Sequence, residues 1–257
     1  GPQATPTVTD EIVLYATAYV TSVAASQWVY DNPIMEWSFQ EGTTNLPSVG
    51  SSTTTDYSGL VNHGNISGAT FSAVAGIAPL GWTLYFDGSA SVSVASTTNI
   101  DLTSTMTLLA FVRPTALTAS HVIISKGDSD LARNYILEID SSKKLRFSVG
   151  DGATAQNVIS STAMTTNTWY FVGASFDASS NTATLWLSTS QDFTSTITVN
   201  PAANTDRFVV GADNGAVNRF SGYITRVRVY DRVLSNTEIT RFAYKVFPHY
   251  GGIDYAA

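Results

Sequence analysis

The sequence predicts an all-β protein: a sandwich or barrel of short antiparallel strands, with one short helix near the C-terminal end. Three observations carry this expectation. Runs rich in Val, Ile, Thr, Tyr and Phe alternate with Gly, Asn, Asp and Ser clusters about every ten residues, the spacing of a sandwich or barrel. Two stretches alternate strictly on either side of a polar turn, as hairpins do. Helix signals are confined to a single segment that carries its own cap.

The elements follow in chain order. Residues 1–33 have a Thr/Pro-rich lead, a strand-like Glu11-Ile12-Val13-Leu14-Tyr15-Ala16-Thr17-Ala18-Tyr19-Val20, and a terminating Asp31-Asn32-Pro33. This segment reads as an extension that packs on its own domain or docks on a neighbouring copy. Strands are expected at residues 84–86, 91–94, 107–112 and 122–125. In residues 135–149, Ile136, Glu138 and Asp140 point one way and Leu137 and Ile139 the other. Ser141-Ser142-Lys143 turns the chain into Leu145, Phe147 and Val149, which predicts a hairpin with one buried face. Residues 168–186 repeat the pattern around an Asp177-Ala178-Ser179-Ser180-Asn181 turn, and further strands are expected at 208–210 and 223–230. Residues 235–244 predict the helix, capped by Ser235 with Glu238 three positions on and with Ile239 and Phe242 as its apolar face. Residues 247–257 form an aromatic tail.

Composition narrows the function classes. The chain has 257 residues, 44% hydrophobic and only 13% charged, long enough for one large all-β domain. Its 34 Thr and 30 Ser make a quarter of it hydroxylated, a surface common on extracellular and virion proteins. A net charge of −7 with scattered Lys and Arg lacks the basic stripe a phosphate backbone needs, so no nucleic-acid partner is expected. The absence of Cys removes disulfides, thiol catalysis and cysteine-ligated zinc together. No apolar run approaches the roughly 18 residues of a membrane span.

From about residue 34 to residue 246 the order of motifs resembles laminin-G-like domains of the concanavalin A-like jelly-roll superfamily, in the microbial branch related to pentraxins. The motifs are Met35-Glu36-Trp37-Ser38-Phe39-Gln40-Glu41-Gly42, Asp56-Tyr57-Ser58-Gly59, Asn62-His63-Gly64, Leu84-Tyr85-Phe86-Asp87-Gly88 and Thr107-Leu108-Leu109-Ala110-Phe111-Val112-Arg113-Pro114. Ile124-Ser125-Lys126-Gly127, Trp169-Tyr170-Phe171-Val172, Phe220-Ser221-Gly222-Tyr223-Ile224, and Arg226 through Ser235 with Glu238-Ile239 complete the set. The resemblance implies a two-sheet antiparallel jelly-roll β-sandwich with the N-terminal segment and the short helix as additions. The organisation expected is an extension at 1–33, the jelly-roll domain at 34–246 and a tail at 247–257.

The same fold hosts lectins, adhesion modules, glycosidases and assembly subunits, so function rests on the site. Laminarinase-type glycosidases carry E-x-D-x-x-E or E-x-D-x-E on one strand. Here Glu138 and Asp140 share a face, but Lys143 stands where the second Glu is required. A retaining mechanism needs two carboxyls roughly 5–5.5 Å apart, so no catalytic residue is expected and Glu138 reads as solvent-facing. His63, His121 and His249 lie far apart and form no triad pattern. Calcium is the cofactor the resemblance implies, held by oxygen ligands from loops. Carried over by motif position, one ligand set is Asp128, Asp130 and Asn134 with Asp213 and Asn214, and a second is Asp56, Asn62 and Gly64. Thr225 stands where the microbial branch often has an Asp of that second site. Trp82, Trp186 and Tyr57 are candidates for a sugar-stacking platform, Arg113, Arg226 and Arg228 are expected to face outward, and Asn65-Ile66-Ser67 is a glycosylation sequon. Three readings emerge: an extracellular or virion-surface structural and adhesion subunit that associates with copies of itself and contacts cell-surface glycans, a calcium-dependent lectin module, and a glycosidase lacking its second carboxylate. The first is favoured.

Overall fold

The computed structural model of the protein describes residues 32–41, 52–73, 81–128, 131, 133–188 and 190–246. The expected N-terminal strand segment, the C-terminal tail with His249, and Asp130 lie outside the described residues. The chain divides into two units, Gly1–Asn32 and Pro33–Ala257, and every strand and helix described belongs to the second.

The described residues form sixteen strands and one helix. The strands are β1 (Met35–Trp37), β2 (Thr53–Thr54), β3 (Gly64–Ser67), β4 (Thr70–Ala73), β5 (Trp82–Asp87), β6 (Ser91–Val94), β7 (Thr105–Pro114) and β8 (His121–Lys126). They continue with β9 (Tyr135–Ile139), β10 (Lys144–Gly150), β11 (Ala155–Ala163), β12 (Tyr170–Asp177), β13 (Thr182–Leu187), β14 (Ser190–Thr196), β15 (Phe208–Val210) and β16 (Ser221–Tyr230), and the helix is α1 (Asn236–Val246). They build two antiparallel sheets, the expected sandwich. The first runs β14-β13-β12-β7-β16-β5-β4 with β1 also on β16, and the second runs β11-β10-β9-β8-β15-β6-β3-β2.

Alternation along β7 explains the layers. Met106, Leu108, Ala110 and Val112 enter the core between the sheets, where they meet Trp37, Phe147, Phe176 and Phe208. Leu109 and Phe111 point to the opposite face of the same sheet, into a second cluster with Phe171, Trp186 and Tyr230 beneath Ile239 and Ala243 of α1. A strand buried on both faces reads as a continuous apolar run, which is what Leu108-Leu109-Ala110-Phe111-Val112 is. The helix starts as expected: Glu238 N–H donates to Ser235 Oγ at 3.3 Å, and Ser235 N–H donates to Glu238 Oε2 at 2.8 Å. Gly222 of β16 has φ 138°, and a Cβ there would lie 2.2 Å from the Arg113 carbonyl oxygen, so only glycine allows β16 to approach β7.

The hairpin β9–β10 departs from the expectation of one buried face. Every residue of β9 is buried. Glu138 therefore does not face solvent, because β9 is an interior strand and Glu138 sits in one row between Val122 of β8 and Arg146 of β10. The polar strands β11 and β14 were not legible as strands. They are the terminal strands of the two sheets, and side chains tie them together: Ser161 N–H donates to Asp192 Oδ2 at 2.5 Å, and just beyond β14 Thr198 N–H donates to Gln156 Oε1 at 2.6 Å.

Candidate functional site

The loops after β8 and β15 meet at one end of the sandwich. Ser125 Oγ donates to the Ala212 carbonyl at 2.9 Å, and Asn214 Nδ2 donates to Asp206 Oδ1 at 2.9 Å. Asp213 is buried and organises its own turn, with Oδ1 accepting Val217 N–H at 2.7 Å and Oδ2 accepting Asn218 Nδ2 at 3.2 Å. A Cβ at Gly215 would lie 3.3 Å from Asp128 Oδ1 and 3.7 Å from Asp213 Oδ1, so both carboxylates border the space beside this glycine. Asp128 Oδ1 is buried there and, among the described residues, has no hydrogen-bond partner. Asp128, Asp213 and Asn214 are thus brought to one loop cluster. Asn134 is committed to the framework, its Nδ2 donating to the Leu102 and Ala202 carbonyls at 3.0 and 2.7 Å, although among the described residues its buried Oδ1 has no partner.

The second expected set has a different arrangement. Asp56 Oδ1 accepts the Glu36 and Ser58 N–H groups at 2.9 and 3.0 Å, while Oδ2 accepts Ser58 Oγ at 2.8 Å and Asn62 N–H at 2.9 Å. Asn62 donates Nδ2 to the Ile34 carbonyl at 3.1 Å, accepts Thr97 Oγ1 at 3.0 Å, and its carbonyl accepts Trp37 Nε1 at 2.8 Å. These side chains pin the 56–63 loop to β1. Where an Asp would stand on β16, Thr225 Oγ1 lies 2.9 Å from the Ser38 carbonyl and 3.2 Å from the Trp82 carbonyl, which fastens the loop after β1 to the start of β5. Among the described residues no group of three or more His, Asp or Glu side chains is placed to hold a metal ion. A hard cation held beside Gly215 would therefore rest on two carboxylates supplemented by carbonyls and water, a mixture that calcium accepts.

On β9, Glu138 is locked rather than poised. Arg146 donates Nη2 to its Oε1 at 2.7 Å and Nε to the same atom at 2.9 Å, while among the described residues the buried Oε2 has no partner. Burial pushes the Glu138 carboxyl above its ordinary range, and the Arg146 charge opposes that shift. Asp140 uses Oδ1 to accept Ser142 and Lys144 N–H at 2.8 and 3.0 Å, closing the turn in which Lys143 takes φ 66°. The two carboxylates are therefore parts of an ion pair and of a turn.

The aromatic candidates separate. Trp186 lies under α1 with Nε1 donating to Asn236 Oδ1 at 3.2 Å, so it is core and not platform. Tyr57 is 46% exposed at the rim, and Trp82 is half-buried. Sequence reasoning missed a row on the half of the first sheet that α1 does not cover. Arg113 of β7, Tyr223 of β16 and Tyr85 of β5 are direct cross-strand neighbours. The Tyr85 and Tyr223 rings stand 5.0 Å apart, Trp169 lies 6.3 Å from Tyr223, and the Arg113 guanidinium carbon is 5.6 Å from the Tyr223 ring centre. All four side chains are half-buried. The row requires the strand order β7-β16-β5, which no local pattern encodes. Of the arginines expected to face outward, Arg113 belongs to this row, Arg228 pairs with Glu36 at 2.6 Å, and burial lowers the Arg226 pKa.

The profile described as Laminin_G_3, concanavalin A-like lectin/glucanases superfamily, matches residues 86–240. The chain belongs to this superfamily. No curated protein matches it by sequence. Among solved structures, this laminin-G-like chain is similar to the binding domain of botulinum neurotoxin serotype G, with TM-score 0.62 and 14% identity over 83% of this chain and 51% of that one. It is similar to the binding domain of Paraclostridial Mosquitocidal Protein 1, with TM-score 0.63 and 14% identity over 84% of this chain and 53% of that one. It spans about half the length of those two toxin domains. A third likeness covers 82% of this chain and 98% of the other at TM-score 0.63 and 14% identity: domain 4 of AbnA, an extracellular GH43 arabinanase of Geobacillus stearothermophilus, in complex with arabinotriose. At these identities the likeness is one of fold. Among the described residues no helix is long and apolar enough to cross a membrane.

Proposed function

We propose that this laminin-G-like domain is a non-catalytic binding module that works outside the cell or on a virion surface, contacting glycans through a calcium-assisted loop end. The observation that carries the calcium is the buried Asp128 Oδ1, without a hydrogen-bond partner among the described residues, bordering the same space as Asp213 Oδ1 beside Gly215. A buried anionic oxygen without a donor costs free energy, and a hard cation removes that cost while offering open coordination positions to ligand hydroxyls. The glycan side is supported by superfamily membership and by the arabinotriose complex of the similar arabinanase domain. The absence of catalysis is supported by Glu138 sitting in an ion pair with Arg146 while Asp140 closes a turn. Calcium titration of the full chain by calorimetry tests the reading. Saturable binding that Asp128→Asn abolishes supports it, and no heat of binding at millimolar calcium removes it.

Self-association is a second reading. β4 pairs only with β5 and leaves its other edge open among the described residues, and an open edge accepts an added strand by main-chain hydrogen bonds. The strand-like residues 11–20 of another copy are the proposed occupant. Sedimentation of the full chain against a chain lacking residues 1–33 separates the outcomes: loss of polymer on truncation supports assembly, and identical behaviour contradicts it.

A further inference from the structure

The outer face of the first sheet is divided. α1 covers Leu109, Phe111, Phe171, Trp186 and Tyr230, while Tyr85, Tyr223, Trp169 and Arg113 remain part-exposed beside it. Trp186 and Tyr230 are buried under the helix, whereas Tyr85 and Tyr223, with Trp169 at the edge of the covered cluster, keep part of their rings exposed, where polar edges tolerate water. Arg113 differs from the cations that form ion pairs. Lys126, Arg146, Arg228 and Arg232 each hold a carboxylate within 2.9 Å. Arg113 donates Nε to the Asn167 carbonyl at 3.1 Å, and among the described residues no hydrogen bond or ion pair engages its two terminal nitrogens. In a chain of net charge −7, Arg113 is thus held beside a tyrosine ring with its fork unengaged among the described residues.

We propose that this row is a subsite for a carboxylate-bearing sugar, a sialic or uronic acid residue of a glycan, which stacks a C–H face on the Tyr223–Tyr85–Trp169 rings and seats its carboxylate on the Arg113 terminal nitrogens. The inference rests on the reading of the chain as a glycan-contacting module and needs no calcium. Planar guanidinium and carboxylate match through two parallel N–H···O bonds, and a neutral sugar leaves that fork empty. Exposed Thr70 lies in the same row beyond Tyr85, within the strip that sugar hydroxyls would meet. A polyphosphate ligand is disfavoured, since one arginine is not a basic stripe.

The test is calorimetry of the full chain in EDTA with 3′-sialyllactose and trigalacturonate as acidic probes and lactose and maltotriose as neutral ones. One acidic probe is expected to bind, more tightly than either neutral sugar and more weakly as salt rises. Arg113→Gln and Tyr223→Ala are each expected to weaken it about tenfold or more. Arg113→Gln alters a part-exposed side chain, so it remains informative if Tyr223→Ala loses its fold by circular dichroism. The proposal is overturned if neither acidic probe binds, if neutral sugars bind equally well, or if Arg113→Gln binds like wild type. It is also overturned if the variants alter sedimentation instead of sugar binding, which assigns the face to contacts between copies. Glycan binding in calcium that both variants retain would overturn this subsite alone and leave the wider reading standing.

Discussion

Lys126 and Asp101 form an ion pair at 2.7 Å in which the lysine side chain is wholly out of solvent. Asn204 completes the ammonium's surroundings, offering its carbonyl at 2.9 Å and Oδ1 at 2.7 Å. Nearby, Tyr135 donates its hydroxyl to the Ile100 carbonyl at 2.9 Å, and burial followed by the Asp101 charge holds that phenol well above its ordinary pKa. A polar cluster thus closes one end of the core beside the loops that carry Asp128 and Asp213. Asp101→Asn is expected to destabilise the domain by about 2–3 kcal/mol, below the 3–5 of a fully buried pair because Asp101 keeps some water. Urea unfolding at pH 7 measures it, and a change under about 0.5 kcal/mol contradicts a structural role for the pair.

The capping box of α1 should matter beyond the helix, because Ile239 and Ala243 cover Phe111 and Phe171. Ser235→Ala removes both bonds made by the Ser235 hydroxyl, the one it donates to Glu238 Oε2 and the one it accepts from Glu238 N–H, and is expected to cost about 1 kcal/mol. Thermal unfolding checks the loss, and amide exchange confined to α1 checks its location.

The pH dependence has a definite sign. Hydrogen bonds from Ser179 hold the Asp177 carboxyl below its ordinary value of 3.8, as bonds from Ser89 do for Asp87 and those from Thr154 and Ala153 do for Asp151. Each binds protons less readily folded than unfolded, so its contribution is present above the unfolded value and is lost as pH falls through the folded one. Glu138 has the opposite sign: its raised pKa favours the folded state at low pH and loses that contribution as pH rises through the folded value. Thermal midpoints measured downward from pH 5 are expected to fall, and Asp177→Asn is expected to flatten that slope. An unchanged slope contradicts the assignment.

Asp128 should report calcium through stability. A buried oxygen with no hydrogen-bond partner among the described residues makes the carboxylate unfavourable without a cation, so Asp128→Asn is expected to leave the calcium-free chain equally or more stable. The same change should abolish the rise in thermal midpoint that millimolar calcium gives the wild type. A calcium-free Asp128→Asn chain that is clearly destabilised would show that Asp128 serves the fold.

How much was legible depends on where the information lies. The hairpin strands declared themselves because alternation is local: Leu145, Phe147 and Val149 share a face by period alone. So did α1, whose Ser235 and Glu238 stand three residues apart. β14, Ser-Gln-Asp-Phe-Thr-Ser-Thr, escaped because an exposed edge strand has no apolar face to advertise, and its place is set by β13 and by Ser161 across the gap. Glu138 looked solvent-facing because its burial comes from Val122 and Arg146, neighbours supplied by pairing. Trp186 resembled a platform residue for a similar reason, since α1, fifty residues away through Asn236, covers it. The Arg113–Tyr223–Tyr85 row needed three strands from distant parts of the chain before it existed at all.

The most direct measurement of the central claim is a glycan array probed with the full chain in calcium buffer and again after chelation. Retention of a defined set of glycans, falling on chelation for those held at the Asp128–Asp213 end, is the result predicted. No glycan retained in calcium would contradict the claim.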